Sequence, residues 1–201
     1  IETFKNYNPD LILFGHSDNI SENIINNLRS LNKKVIISQW NEDPLMDNLS
    51  NTSNNLDKLK KFIRLVDHTF ITTDPSILNF SKKESKNIHF FMTPVDKNIE
   101  CFDVFNLKPK NDLFYAMSHG VNRAVLKSGK IDNRVNFLNK LVKKSDGIKF
   151  DLYGFGKQEP IWGNDFYKSL LNSKMALNLS RGKPTKYYSS NRIASIMGNG
   201  L

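Results

Sequence analysis

The residues best suited to chemistry lie near the end of the sequence, in Lys174-Met175-Ala176-Leu177-Asn178-Leu179-Ser180-Arg181-Gly182 and in Tyr187 to Leu201. Met175, Leu177 and Leu179 alternate as a strand does, Ser180-Arg181-Gly182 frees the backbone, and Ser189 or Ser190 can cap a helix that runs toward Gly198 and Gly200. The unpaired N–H groups at such a helix start, with Arg181, Lys183, Lys186 and Arg192 around them, suit a phosphate-bearing ligand. The same residues also suit an ordinary strand–helix turn with solvated Lys and Arg, because glycine and basic residues are common in α/β loops.

The elements that must position this stretch read as alternating strands and helices. Leu11-Ile12-Leu13-Phe14 is a short apolar run fitting a strand buried on both faces, and His16 and Asp18 follow its carboxyl end. They can line a cleft there or simply start the next helix. Ile20 to Leu31 has helical spacing, Val35-Ile36-Ile37 is a second strand, and Ser38 to Pro44 reads as the loop after it. In that loop Trp40 stands beside Glu42 and Asp43, so it can stack a sugar whose hydroxyls the carboxylates hold, or it can pack under the loop. Leu56 to Val66 reads as an amphipathic helix, Thr69 to Thr73 as a strand, Asp74-Pro75 as a helix start with Ile77 to Phe80 after it, and Ile88 to Met92 as a fourth strand. His68 and His89 read as packed or surface histidines, and no His pair has the sequence spacing of a metal site.

Periodicity fails between Lys97 and Asn111, where Pro, Lys and Asn accumulate as in a linker. A second α/β unit follows: strand Leu113 to Met117, a tight loop Ser118-His119-Gly120-Val121-Asn122-Arg123, helix Arg134 to Val142, strand Ile148 to Tyr153, the Gly154-Phe155-Gly156 loop, and helix Phe166 to Ser173. Backbone amides of the Ser118–Arg123 loop can approach a diphosphate, with Arg123 reaching it. The expected organisation is therefore a first lobe over 1–96, a linker over 97–111 and a second lobe over 112–201, each a Rossmann-like parallel sheet. Ile1 in place of an initiator Met, a helix tail over Ile1 to Tyr7 and a strand expected after Leu201 predict a piece of a longer chain, with both lobes incomplete.

Composition narrows the function classes. The 201 residues carry a net charge of +9, spread over scattered lysines, which suits solubility, an anionic ligand or an anionic membrane surface contacted peripherally. Nucleic acid is disfavoured, since no concentrated basic stripe with interleaved aromatics occurs. No apolar run nears the about 20 residues needed to span a bilayer and no signal peptide opens the sequence, so a cytoplasmic location is expected. The single Cys101 allows no internal disulfide and reads as a loop thiol.

Three of these stretches together resemble GT-B glycosyltransferases. Thr93-Pro94-Val95-Asp96 is similar to the Pro-x-x-Asp turn at which that family crosses between domains, and Leu152-Tyr153-Gly154-Phe155-Gly156 to its second-domain strand ending in a glycine loop. Arg192 to Gly200 is similar to its Arg-helix-Gly donor segment, closest to the spore-coat CgeB-like branch, whose members also carry an Arg after the first strand of the second domain, as Arg123 is here. Fucosyltransferases of the same fold have a Tyr-x-x-Glu-Lys segment distantly like Tyr188 to Arg192.

The resemblance implies transfer of a sugar from a nucleotide-diphosphate sugar to a glycan, lipid or protein acceptor, with no metal and no other cofactor. Arg123 and Arg192 would stabilise the departing diphosphate, and Glu42 or Asp43 would serve as the base of an inverting enzyme. Ser118, His119, Gly120, Tyr153, Gly154, Phe155, Arg181, Lys186, Tyr188, Ser189, Ser190, Asn191 and Ser195 would hold the donor, and His16, Asp18 and Trp40 would face the acceptor. Where the family has a Glu on the donor ribose, this sequence has Ser195, which can hydrogen-bond but makes no charged bidentate contact. A sugar- or nucleotide-binding module of the same fold without turnover is the alternative.

Overall fold

The computed structural model describes residues 1–15, 20–45, 52–118, 132–180 and 185–201, with backbone alone over 52–54. The chain is α/β, and it divides into two compact units: 1–93 with 185–188, and 94–184 with 189–201. The second unit thus begins at Pro94, within the Pro-Val-Asp turn, and four residues late in the sequence belong with the first.

In the first unit α1 (Glu2–Tyr7), β1 (Leu11–Phe14), α2 (Glu22–Leu31), β2 (Ile36–Asn41), α3 (Thr52–Phe62), β3 (His68–Ile71), α4 (Lys82–Ser85) and β4 (Ile88–Phe90) follow in order. The four strands are parallel and lie in the order β1-β2-β3-β4. A sheet that grows in one direction through right-handed crossovers keeps its helices on one face. Accordingly Ile12, Phe14, Ile37, Ile71 and Ile88, which share a face by register, pack against Ile25 and Leu28 of α2 and Leu56 and Leu59 of α3. On the other face Leu11, Leu13, Ile36 and Phe91 remain exposed.

Several element boundaries differ from the sequence expectation. β2 runs on through Ser38, Gln39 and Trp40, which the sequence reading placed in a loop, because β1 and β3 flank it and Trp40 pairs in register with Phe70. Gln39 is buried there, its amide donating to Thr69 Oγ1 at 2.9 Å. α3 starts and stops four residues early, Asp74 caps a single 3-10 turn (Pro75–Ile77) rather than a helix to Phe80, and β4 ends at Phe90. The short α4 is closed by a capping box, in which the Ser81 hydroxyl accepts from Glu84 N–H and the Glu84 carboxylate accepts from Ser81 N–H.

The second unit contains β5 (Asn111–Ala116), α5 (Asn133–Lys144), β6 (Phe150–Tyr153), α6 (Gly163–Leu171), β7 (Ser173–Ala176) and α7 (Arg192–Gly198). Its parallel sheet has the order β6-β5-β7. Phe114 and Ala116 of β5 pack on α6 and α7, while Tyr115 and Met117 pack on Leu138 of α5, so helices cover both faces.

Residues 97–111 do not behave as a free linker. Val104 is buried, its N–H donates to Asn199 O at 3.0 Å, and Phe102 N–H donates to Asn199 Oδ1 at 2.9 Å. The fully buried Asn199 thereby fastens this segment to the end of α7, as its own amide donates to Ser195 O. Gly198 makes the approach fit: a Cβ there would stand 2.7 Å from Glu100 Cβ.

Candidate functional site

Strand order decides where a ligand crevice can form in such sheets. In the second unit the chain steps from β5 to β6 through α5, then crosses back over β5 to β7 through α6, so the order reverses between β5 and β7. Loops leaving neighbouring strands on opposite sides of that reversal part and leave a crevice at the carboxyl ends. Among the described residues the first unit's sheet runs β1-β2-β3-β4 without a reversal. The loops beginning at Met117-Ser118 and Leu177-Asn178 therefore flank the favoured position.

Asn178 is the hub there. Its Nδ2 donates to Ser189 Oγ at 2.9 Å, and its Oδ1 accepts from Ser190 Oγ at 2.6 Å and from Arg192 Nη1 at 3.2 Å. The Arg192 guanidinium also lies 5.2 Å from the centre of the Tyr115 ring, within cation–π range. Arg134, whose side chain interacts with the Tyr115 phenol, forms a buried ion pair with Asp132 at 2.7 Å. Burial pushes the Tyr115 phenol up, and the charges of Arg134 and Arg192 oppose the shift. Among the described residues no group meets its buried hydroxyl at ideal hydrogen-bond geometry, although the Arg134 side chain interacts with it. The arrangement presents a guanidinium braced by amide, hydroxyl and aromatic groups at the switch point, chemistry that suits an anionic, oxygen-rich ligand.

The structure sorts the expected site residues into several groups. Ser189, Ser190 and Arg192 come together around Asn178, but the serine hydroxyls serve that asparagine and do not cap α7. Asn191 holds the cap position without a side-chain cap bond, and the first N–H groups of α7 reach backbone carbonyls, Ile193 to Ser190 and Ala194 to Asn191. β7 ends at Ala176 rather than Leu179, and Ser173, expected in the preceding helix, starts it. Ser118 lies exposed at the carboxyl end of β5, and Ser195 is half-buried on α7.

Gly154 and Phe155 follow β6. Phe155 packs in the Tyr115 cluster, and Gly154, at φ +67°, presses against the Met117 carbonyl. Tyr153 faces α6, where Ser169 Oγ donates to its hydroxyl at 3.0 Å, so the ring belongs to the Phe114 core.

Lys186 and Tyr188 belong with the first unit. Lys186 Nζ stands 2.6 Å from Asp74 Oδ2, Asp74 N–H donates to Lys186 O at 3.1 Å, and Tyr187 packs on Phe90. Bonding from Lys186, and then from Ser76 N–H, lowers the Asp74 pKa from 3.8 to about 2. A carboxylate lowered by folding stabilises the folded state above its unfolded pKa, and that contribution fades as pH falls through the folded value. Asp74→Asn should therefore lower the thermal midpoint at pH 7, and the gap from wild type should close between pH 3.8 and about 2, as read by thermal melts across that range. A gap that persists at pH 2 would assign the effect to packing.

Among the acceptor-side expectations, Trp40 lies in β2, edge-on to Phe91 at 6.0 Å, with its Nε1 buried and unpartnered among the described residues. Asp43 Oδ2 accepts from Asn55 Nδ2 at 3.0 Å, and the Glu42 carbonyl accepts from Thr72 Oγ1 at 3.0 Å. His16, Asp18, His119, Gly120, Arg123 and Arg181 lie outside the described residues. A groove of about 510 Å³ between α2 and α3, lined by Ile20, Ser21, Glu22, Lys58, Lys61, Phe62 and Leu65, contains none of the expected residues.

Sequence reasoning missed Asn178 and Asn199. Asn178 had one signal, a polar residue between Leu177 and Leu179 just after a strand. Among the described residues no group of three or more His, Cys, Asp or Glu side chains converges as a metal cluster, and no helix is long and apolar enough to cross a membrane. No family model matches the chain, and neither the curated proteins nor the solved structures contain a match.

Proposed function

We propose that the chain is a glycosyltransferase of the GT-B kind, moving a sugar from a nucleotide-diphosphate sugar to a glycan, lipid or protein acceptor in the cytoplasm. The observation that supports this reading is the β6-β5-β7 strand order, with the Asn178–Ser189–Ser190–Arg192 cluster following β7 beside the reversal, where Rossmann-like sheets commonly bind ligands.

In this reading the diphosphate lodges against Arg192 and the two serines. Negative charge grows on it as the glycosidic bond breaks, so the guanidinium stabilises the transition state more than the ground state. Arg123 adds a second positive charge, and these cations take the part that a metal plays in other transferases. Ser195 supplies a hydrogen bond where the family has a carboxylate on the ribose. Asp43 and Glu42, after β2 in the first unit, are the candidates for the base that takes the acceptor hydroxyl's proton.

Calorimetric titration with uridine, guanosine and adenosine diphosphates and their sugars tests the reading, together with release of free nucleotide. One of these nucleotides should bind, and Arg192→Ala should weaken that binding tenfold or more, a loss of about 1.4 kcal/mol. Binding without release of nucleotide supports the non-catalytic module. Absence of nucleotide binding, or equal affinity in Arg192→Ala, overturns the proposal.

A further inference from the structure

We infer that His68 and His89 form a chelating site for a late first-row divalent ion, Zn²⁺, Ni²⁺ or Cu²⁺, on the face of the first unit's sheet opposite its helices. The two residues are 21 apart in sequence, a spacing that suggests nothing. Register brings them together: Phe70 of β3 pairs with His89 of β4, which sets His68, two residues before Phe70, on the same face and one step away. His68 Nδ1 then stands 3.1 Å from His89 Nε2, at the surface.

That separation is the bite a metal ion requires. Two imidazole nitrogens bound at about 2.0–2.1 Å stand about 2.9 Å apart at a right angle and about 3.4 Å apart at the tetrahedral angle. The observed 3.1 Å falls between the two. Ring centres 5.3 Å apart behind nitrogens 3.1 Å apart put the two nitrogens head-on, so each ring must turn to aim its lone pair at a shared ion. Phe70 lies 5.3 Å from His89 and 6.4 Å from His68 between ring centres, and it packs edge-on to Phe91, which in turn meets Trp40. Neighbours packed this closely limit each ring to a small turn, so little freedom is lost on binding.

Proton accounting is simple. In the neutral pair one of the two facing nitrogens carries a hydrogen and the other accepts it. When the ion binds, that hydrogen moves through solvent to the other nitrogen of its own ring, so both facing lone pairs reach the metal with no net proton released. Two imidazoles fill two positions and water fills the rest, which leaves the ion open to a further ligand.

The test is calorimetric titration of the whole chain with Cu²⁺, Ni²⁺, Co²⁺ and Zn²⁺, with Mg²⁺ and Ca²⁺ as oxygen-preferring controls. One equivalent should bind, Cu²⁺ tighter than Ni²⁺ and Ni²⁺ tighter than Co²⁺, with Mg²⁺ and Ca²⁺ giving no saturable binding. His68→Gln and His89→Gln should each weaken binding about tenfold or more. In the unsubstituted protein one equivalent of Zn²⁺ should shift the ring nitrogen resonances of both His68 and His89, a reading independent of how the variants fold. Affinity unchanged in either variant, a shift of one ring alone, or no saturable binding overturns the inference.

Discussion

Gly154→Ala should destabilise the second unit by about 3 kcal/mol or more, an effect with two separable parts. Gly154 has φ +67°, and a left-handed conformation costs an L-residue about 1–2 kcal/mol. The larger part is collision, because an added Cβ would stand 1.8 Å from Met117 O and 2.9 Å from Met117 C. No rotamer relieves a clash between a Cβ and a backbone carbonyl, so β5 and β6 must separate where Met117 N–H donates to Tyr153 O at 3.0 Å. Forcing extra volume into a packed interior costs about 1–3 kcal/mol when the neighbours can yield, and here the neighbour is a strand end. Gly156→Ala is the matched control: its φ is +59°, but nothing lies within 4 Å of the added Cβ, so only the conformational part applies. Urea denaturation followed by circular dichroism should show the Gly154 variant less stable than the Gly156 variant by the collision part. Equal losses would mean the strands yield freely. Gly154 thus holds the Met117-Ser118 strand end against β6, which explains a glycine at this point whether or not a ligand approaches it.

That glycine shows what the sequence makes legible and what it hides. The short apolar run Leu113-Phe114-Tyr115 announces a buried parallel strand, whereas Leu11-Ile12-Leu13-Phe14, expected to be buried on both faces, forms a parallel strand that leaves Leu11 and Leu13 exposed because helices cover only its other face. Both units are parallel α/β sheets as expected. Ser38-Gln39-Trp40 is hidden because a strand between two partners can bury a glutamine once Thr69 takes its amide, and hydropathy cannot see the partner. In the sequence Arg181, Lys183, Lys186 and Arg192 read as one cationic group around a helix start, yet Lys186 is bound by Asp74 in the first unit while Arg192 joins Asn178 in the second. Charge alone does not reveal which carboxylate lies nearby. Asn178 and Asn199 escaped notice because asparagine in a loop is ordinary; only the partners gathered around each give them roles. The His68–His89 pair exists through the β3–β4 register, information that no linear spacing holds.

Asp132→Asn should cost about 3–5 kcal/mol, the ordinary penalty for leaving one member of a buried ion pair without its counter-charge. Asp132 and Arg134 are both buried, and the carboxylate meets the guanidinium at 3.1 Å through Nε and at 2.7 Å through Nη2. Burial alone would lower the Arg134 pKa, but Asp132 and Tyr115 together more than offset it and the net shift is upward. Asp132 Oδ1 also caps α5 by accepting from Arg134 N–H at 2.9 Å, and Asn keeps that acceptor, so the cap is retained while the charge and the Oδ2 acceptor facing Arg134 are lost. Arg134→Met should cost a similar amount by stranding the carboxylate. The double variant Asp132→Asn/Arg134→Met leaves neither charge unpaired and should recover most of either loss, giving a coupling well above the scatter expected of independent sites. A double variant as unstable as the sum of the singles would show that shape rather than charge governs the site. The cycle also bears on function, since Arg134 interacts with the phenol of the Tyr115 ring that Arg192 covers. If this pair supports Arg192 through Tyr115, the double variant should regain stability yet bind nucleotide more weakly than wild type. Full recovery of both would limit the pair to folding and leave Asn178 as the support that positions the guanidinium.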